Sequence, residues 1–158
     1  FRRVLFRSFQ GQVNIAGFNP IVLDSIGSID ANSTLTVQGW LGVVGTLSNG
    51  KNATVTIKPL GILAFFGGNM TMEDASSKLI LDGCDFYSGG SGITLTKGTV
   101  MFDHEVRLWN KNFGADVANT DLTKAIKFGD GTNPVNLVYL NGATVKYDGC
   151  VRVNKAQG

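Results

Sequence analysis

The chain has 158 residues and a formal net charge of +2, and its 16% charged residues fall well below the roughly 25% of average globular proteins. No run approaches the ~18 consecutive apolar residues that a membrane-spanning helix needs, so the sequence predicts no membrane span. Glycine occurs 21 times and proline only three times. This composition is typical of a turn-rich, all-β chain.

The first eight residues, FRRVLFRS, differ from the rest because they hold Arg2, Arg3 and Arg7 and no acid. Back-translated, they resemble the end of a short-read sequencing adapter. We therefore interpret residues 1–8 as a translated adapter on a metagenomic clone, and 9–158 as a fragment of a longer protein. Without these arginines the net charge becomes −1, which gives no support to nucleic-acid binding. No apolar run typical of a signal peptide follows.

Short runs of alternating β-branched and apolar residues recur along the chain and predict half-buried strands. Leu35, Val55, Leu79 and Leu95 take comparable places in four such runs, at intervals of roughly 20 residues. Glycine and asparagine mark the turns between them, as in LSNGKN (47–52). Recurrence at this period indicates a repeat architecture.

Two or three short strands in about 20 residues describe one coil of a parallel β-helix (β-solenoid), which buries its apolar face by stacking on neighbouring coils. The alternative is an antiparallel β-sandwich, whose hairpin turns the dipeptides Asn49-Gly50 and Asn141-Gly142 would fit. The very short strands favour the solenoid. Because the ends of a solenoid need caps, we expect a fragment to self-associate end to end.

The segment 110–125 (NKNFGADVANTDLTKA) breaks this pattern because it is polar and longer than a corner needs. We interpret it as a loop excursion from one coil, with Thr120 capping a short helical turn that runs through Leu122 and Ala125. Long loops on rigid scaffolds often carry function. The loop supplies the candidate ligand-binding residues, which are Asn110, Lys111, Asn112 and Asp116.

The candidates for catalysis are a few acids and the single histidine. Polysaccharide hydrolases need carboxylates that project together, and Asp82 and Asp103, 21 residues or about one coil apart, could stack on one face. His104 follows Asp103, but adjacent strand residues point in opposite directions, so the two cannot pair without a β-bulge. With no nucleophile motif present, we predict no catalytic residue.

Metal and redox sites are not indicated by the sequence. Cys84 and Cys150 occur in the related contexts LDGC and YDGC, which fit two small buried residues better than a disulfide. No Cys or His spacing is typical of zinc. The segment FGDGTNP (128–134) predicts a tight turn and lacks the final glutamate of a calcium loop. We predict no cofactor and no metal.

The phrases SxLTV, ATVTI, SKLILDG, GITLTKG and NGATVKYDG, spread over residues 30–154, resemble the β-solenoid proteins that bacteria display or secrete, such as autotransporter passengers and filamentous adhesins. The resemblance implies a non-catalytic structural or adhesive module of a larger cell-surface or secreted protein. A glycan or a host-cell or other cell-surface protein is the expected partner. Aromatic residues could stack on sugars or fill the core, and we expect Trp40 and Trp109 at corners. The alternative is a fragment of a pectin lyase-like polysaccharide lyase or glycoside hydrolase.

Overall fold

The computed structural model describes residues 8–17, 21–24 and 27–154, together with the backbone of residues 2–4. It is an all-β parallel solenoid of about six turns, with coils of about 22 residues. The fold class predicted from the sequence is therefore confirmed. Every strand pairing in the described part of the chain is parallel, which excludes the antiparallel sandwich.

Most of the strands have two to five residues, whereas two late strands are much longer. In chain order they are β1 (Arg2–Val4), β2 (Ser8–Phe9), β3 (Gln12–Ile15), β4 (Ile21–Leu23), β5 (Gly27–Ile29), β6 (Thr34–Val37), β7 (Trp40–Val43), β8 (Thr46–Asn49), β9 (Thr54–Ile57), β10 (Ile62–Phe65), β11 (Asn69–Met72), β12 (Lys78–Asp82), β13 (Asp85–Tyr87), β14 (Ile93–Leu95), β15 (Thr99–Trp109), β16 (Ile126–Phe128), β17 (Asn136–Asp148) and β18 (Val151–Val153).

The strands stack into three faces, and each coil contributes one strand to each face. Face A contains β3, β6, β9, β12 and the first halves of β15 and β17, and face B contains β1, β4, β7, β10, β13 and the second halves of β15 and β17. Face C contains β2, β5, β8 and β11 in one sheet and β14, β16 and β18 in another. Since β15 and β17 turn the corner between faces A and B without a break, these two faces form one 11-stranded sheet.

The core is a set of apolar ladders inside the stack of coils. On face A, Leu35 pairs with Val55, Val55 with Leu79, and Leu79 with Val100, and all four side chains are buried. The matching outward residues stay partly or fully exposed, which is the alternation expected of half-buried strands. Each coil therefore gains its apolar burial from the coils above and below it.

The prediction that Leu95 takes the same place in its coil as Leu35, Val55 and Leu79 is wrong. Leu95 lies on face C, where it pairs with Phe128, and Val100 takes the expected place on face A. The short run 93–96 has the same alternation as the face A strands, and alternation alone does not tell one face of a solenoid from another.

Two asparagines stack at one corner of the solenoid, on the side where each coil enters face A. Asn32 and Asn52 have φ angles of 61° and 54°, in the left-handed region that asparagine tolerates. The Asn52 amide nitrogen donates to the Asn32 side-chain oxygen (3.2 Å). Asparagine residues therefore form turns at the corners of this solenoid, as the glycine residues do.

The predicted loop excursion is confirmed, because no strand lies between the end of β15 at Trp109 and the start of β16 at Ile126. It contains a single 3-10 turn, Leu122–Lys124. The residue that caps this turn is Asp121, whose carboxylate accepts from the Thr123 backbone nitrogen, so the prediction of Thr120 as the cap is wrong by one position. The described chain has no helix that is long and apolar enough to cross a membrane.

The last coil presents inward-facing side chains that no further described coil covers. Tyr139, Tyr147 and Val153 are 58%, 68% and 55% exposed, although their register partners in the coil before, Phe102, Leu108 and Phe128, are buried. The expected end-to-end association stays a prediction. At the other end, Arg2–Val4 pairs with Ile21–Leu23, and the interpretation of residues 1–8 as a translated adapter also stays a prediction.

Candidate functional site

The base of the loop 110–125 is held by a fully buried asparagine. The Asn110 side-chain oxygen accepts from the Ser88 hydroxyl (2.6 Å). Its amide nitrogen lies within hydrogen-bonding distance of three backbone oxygens, those of Asn119 (3.1 Å), Lys124 (3.1 Å) and Cys150 (3.0 Å). These bonds tie the start of the loop to its end and to the following coil.

Asn119, near the end of the loop, forms further hydrogen bonds that hold the base of the loop together. Its backbone nitrogen donates to the Asn110 carbonyl (2.7 Å), and its side-chain nitrogen donates to the Gly90 carbonyl (3.0 Å). No pattern in the sequence predicts that Asn110 is buried and that Asn119 lies opposite it at the base of the loop. Only the stacking of coils brings residues 88, 110, 119 and 150 together.

The four loop residues predicted to bind a ligand have different environments. Asn110 is fully buried and its amide is engaged within the protein, whereas Asn112 and Asp116 are exposed. The Lys111 ammonium lies 4.9 Å from the centre of the Trp109 ring and 3.6 Å from the Asp148 carboxylate. A ligand role for the loop stays a prediction, and the exposed residues together with Lys111 are the ones placed to make outward contacts.

Four aromatic rings form a continuous cluster on the outside of face B, and we call Trp40, Tyr87, Trp109 and Phe113 the aromatic patch. Tyr87 stacks on Trp109 with ring centres 5.9 Å apart. Phe113, from the loop, contacts both Trp40 (ring centres 4.5 Å apart) and Tyr87, with which it forms a T-shaped pair (5.2 Å). Phe113 is 37% exposed and the other three rings are half-buried.

The carboxylate of Asp85 holds the Trp109 ring of the patch in place. The Trp109 indole nitrogen donates to the Asp85 carboxylate (2.9 Å), which also forms an ion pair with Arg107. Partial burial, with the nearby charge of Asp85 as a smaller cause, raises the pKa of Tyr87 above its ordinary value. The phenol therefore stays neutral and available as a hydrogen-bond donor at physiological pH.

The sequence predicts Trp40 and Trp109 at corners, and both do lie at strand ends, where β7 begins and β15 ends. It did not identify Phe113 as part of a site. The signal that could have identified Phe113 is that it is the one aromatic residue in a polar segment of 16 residues. A large apolar side chain in such a loop usually packs against another part of the protein. That segment is the loop 110–125, so the predicted loop and the aromatic residues form one surface.

A second cluster lies at the corner between faces A and B, and we call Asp82, Asp103 and His104 the acidic corner. The prediction that Asp82 and Asp103 could stack is confirmed, because the two residues are register partners on β12 and β15. Their side chains are only 14% and 17% exposed. The Lys58 ammonium lies 3.9 Å from Asp82, one coil below.

His104 does pair with its neighbouring carboxylates, contrary to the conclusion drawn from strand alternation. The bulge that such a pair requires is present: the register of β15 against β17 shifts between Asp103 and Glu105, and His104 has a φ of 56°. Its Nδ1 atom lies 2.8 Å from Asp82 and 3.2 Å from Asp103. The left-handed residue turns the ring to the side on which both carboxylates lie.

The two carboxylates favour the protonated form of His104. The hydrogen bond to Asp82, and then the charge of Asp103, raise the pKa of His104 above its ordinary value, although the ring is 64% exposed. When the ring is protonated, its Nδ1–H lies against both carboxylates, and the cation is then held between two anions. Asn141 completes the cluster, because its side-chain nitrogen donates to the Asp103 carboxylate (3.1 Å).

The acidic corner could hold a metal ion or take part in acid–base chemistry. One ligand atom from each of its three residues lies within 4.8 Å of the others, and oxygen and imidazole ligands together suit several divalent metals. Retaining glycosidases place their two carboxyl groups about 5–5.5 Å apart. Here the His104 Nδ1 atom lies 2.8 Å from Asp82 and 3.2 Å from Asp103, so the imidazole contacts both carboxylates.

The predicted tight turn at 128–134 is present and is held internally. The Asp130 carboxylate accepts from the backbone nitrogens of Thr132 (2.9 Å) and Asn133 (2.7 Å) and from the Asn133 side chain (3.0 Å). These hydrogen bonds, of which the one from the Asn133 backbone has the largest effect, lower the pKa of Asp130 to about 2. The carboxylate therefore closes the turn, as expected for aspartate in this position.

The chain matches no protein-family model, no curated protein and no solved structure.

Proposed function

We propose that the chain is a non-catalytic structural or adhesive module of a larger bacterial cell-surface or secreted protein, and that it binds glycans through the aromatic patch and the loop 110–125. The observation that carries the proposal is the cluster of Trp40, Tyr87, Trp109 and Phe113 on the outer surface of face B. Aromatic faces next to polar rims are typical of binding surfaces.

The surroundings of the patch fit a sugar ligand. Sugar rings pack their apolar C–H faces on aromatic rings and present hydroxyls at the edges. Around the patch, Asn112 and Asp116 are exposed polar residues of the same loop, and Lys111 lies over Trp109. The loop is fixed at its base by Asn110, so little conformational entropy is lost when a ligand binds.

The chain offers a direct assay for this proposal, because its only two tryptophans, Trp40 and Trp109, both belong to the patch. Tryptophan fluorescence titrations with soluble pectin, xylan and chitin oligosaccharides should show a saturable change for at least one of them. Phe113→Ala removes one ring of the patch, and an aromatic contact contributes about 0.5–1.5 kcal/mol. The affinity should therefore fall by roughly 2–10-fold.

Val117→Ala is the matched control, because Val117 is 82% exposed in the same loop and makes no ring contact with the patch. It should bind as the unmodified chain does. No change with any of the glycans, or equal binding by the Phe113→Ala and Val117→Ala variants, would contradict glycan binding at the patch.

A polysaccharide lyase or glycoside hydrolase is the second candidate, because two carboxylates stack in register at the acidic corner beside a histidine. Incubation with the same polysaccharides should release reducing or unsaturated ends if the corner is catalytic, and His104→Ala should abolish that release. Absence of release by the unmodified chain, with glycan binding retained, supports the adhesive function.

A further inference from the structure

The two Asn-Gly dipeptides of the chain lie in opposite environments. In this dipeptide the glycine backbone nitrogen can attack the asparagine side-chain carbon, because glycine has no side chain to hinder the approach. The new C–N bond forms a succinimide ring, and the side-chain amide leaves as ammonia. Water then opens the ring at either carbonyl and leaves aspartate or isoaspartate. The reaction needs no other reagent, but it requires a backbone free to bring the two atoms together.

Asn49-Gly50 is protected from this reaction by the fold. The Asn49 side chain is fully buried, and its amide nitrogen donates to the Lys78 carbonyl (2.8 Å). The attacking nitrogen, that of Gly50, donates to the Ile29 carbonyl (2.9 Å). Ring closure would have to break both bonds and admit water into the core. It therefore requires extensive unfolding of the coil.

Asn141-Gly142 lies outside the regular ladder. Leu140 pairs with Asp103 and Thr144 pairs with Glu105, so the three residues 141–143 stand opposite the single residue His104. Asn141 and Gly142 are exposed, with φ angles of 48° and 65°. A Cβ atom built on Gly142 would meet no heavy atom within 4 Å, so no other part of the protein packs against the side-chain side of this glycine.

The same amide belongs to the surroundings of the acidic corner. The Asn141 side-chain nitrogen donates to the Asp103 carboxylate (3.1 Å), which in turn lies 3.2 Å from His104. Replacing this amide by a carboxylate removes the donor and adds a negative charge next to Asp103. The acidic corner would then have a third carboxylate beside it, next to Asp103.

We propose that Asn141 is a spontaneous deamidation site of the folded chain, and that its conversion changes the acidic corner from two carboxylates to three. The site is independent of the glycan-binding proposal, because Asn141 lies at the corner between faces A and B and belongs to neither the aromatic patch nor the loop. Deamidation lowers the net charge by one and occurs without an enzyme.

The test is to age the purified chain at mildly alkaline pH and to follow both dipeptides by peptide mapping with mass spectrometry. We expect the mass gain of amide-to-acid conversion at Asn141 at a rate at least about ten times that at Asn49, which local structure protects. The same experiment in concentrated urea is the matched control, and there the two rates should become similar. Equal rates in the folded chain, or reaction at Asn141 only after unfolding, would overturn the proposal.

A second measurement tests the effect on the acidic corner. In Asn141→Asp, the midpoint of the His104 NMR titration should move to higher pH, because an anion replaces the neutral amide. Lys146→Gln, which alters a different ion pair on the same strand, with Glu105, serves as the comparison for a general change of charge. An unchanged or lower His104 midpoint in Asn141→Asp would show that residue 141 does not act on the corner.

Discussion

The buried amide of Asn110 offers the sharpest test of how the loop is held. The sequence placed this residue among the ligand contacts, whereas the structure buries it fully and surrounds it with four hydrogen-bond partners. Substitution by alanine removes the amide and keeps the backbone. We expect Asn110→Ala to lower the free energy of unfolding, because buried polar partners are left behind.

The size of this loss in unfolding free energy depends on which hydrogen bonds the four partners of Asn110 still make in the variant. The Asn119 carbonyl still accepts from the Cys150 nitrogen, and the Cys150 carbonyl still accepts from the Ile126 nitrogen. The cost therefore falls mainly on the buried Ser88 hydroxyl, because Lys124 is an exposed residue. At about 1–3 kcal/mol for a buried group that loses its partner, the free energy of unfolding should fall by roughly 1–3 kcal/mol. For a chain of this size the melting temperature should fall by roughly 2–12 °C.

Thermal and urea unfolding followed by circular dichroism would measure this change. Asn112→Ala, an exposed neighbour, is the control and should stay within about 0.5 kcal/mol of the unmodified chain. Asn110→Asp keeps the shape and the acceptor for Ser88 but places an oxygen against three carbonyl oxygens. It should destabilise at least as much as alanine at neutral pH. If the Asn110→Ala and Asn112→Ala variants had the same melting temperature, the reasoning about the loop base would be refuted.

Two further predictions concern titratable groups. The folded-state pKa of His104 is raised by Asp82 and Asp103. Its contribution to stability should therefore be complete below the pKa of the unfolded chain and be lost as pH rises through the folded pKa. Urea midpoints of the unmodified chain and His104→Ala should differ more at pH 5 than at pH 9, and the reverse order would contradict this reading. Burial, the largest cause, raises the pKa of the Cys84 thiol to about 12, so Cys84 should resist alkylation by iodoacetamide at pH 8 while the partly exposed Cys150 reacts. Equal labelling of the two thiols in the folded chain would show that Cys84 is accessible.

Several elements of the fold could be predicted because they depend on local patterns. The alternation in runs such as TLTV and TVTI, their period and the glycine-rich turns predicted parallel coils of nearly the observed length. The polar segment 110–125 predicted the loop, because such a stretch cannot supply a buried strand. The stacking of Asp82 on Asp103 also followed from the period, since residues one coil apart are register partners.

Other features depend on which coils meet in three dimensions. A solenoid has several faces with the same alternation, so the sequence could not tell that Leu95 belongs to face C and Val100 to face A. The pairing of His104 with two carboxylates depends on a bulge, and a bulge arises where a longer strand must match a shorter one across the ladder. Strand alternation by itself predicted the opposite.

The sequence by itself determined the repeat, the strand pattern and the place of the loop, because these follow from the order of apolar, polar and turn-forming residues along the chain. The tertiary structure decided which side chains lie together. It buried Asn110 beneath the loop, brought Phe113 onto Trp40 and Tyr87, and placed Asn141 beside Asp103. The physical reason is that these contacts join residues from different coils, and their geometry depends on the register of the stack.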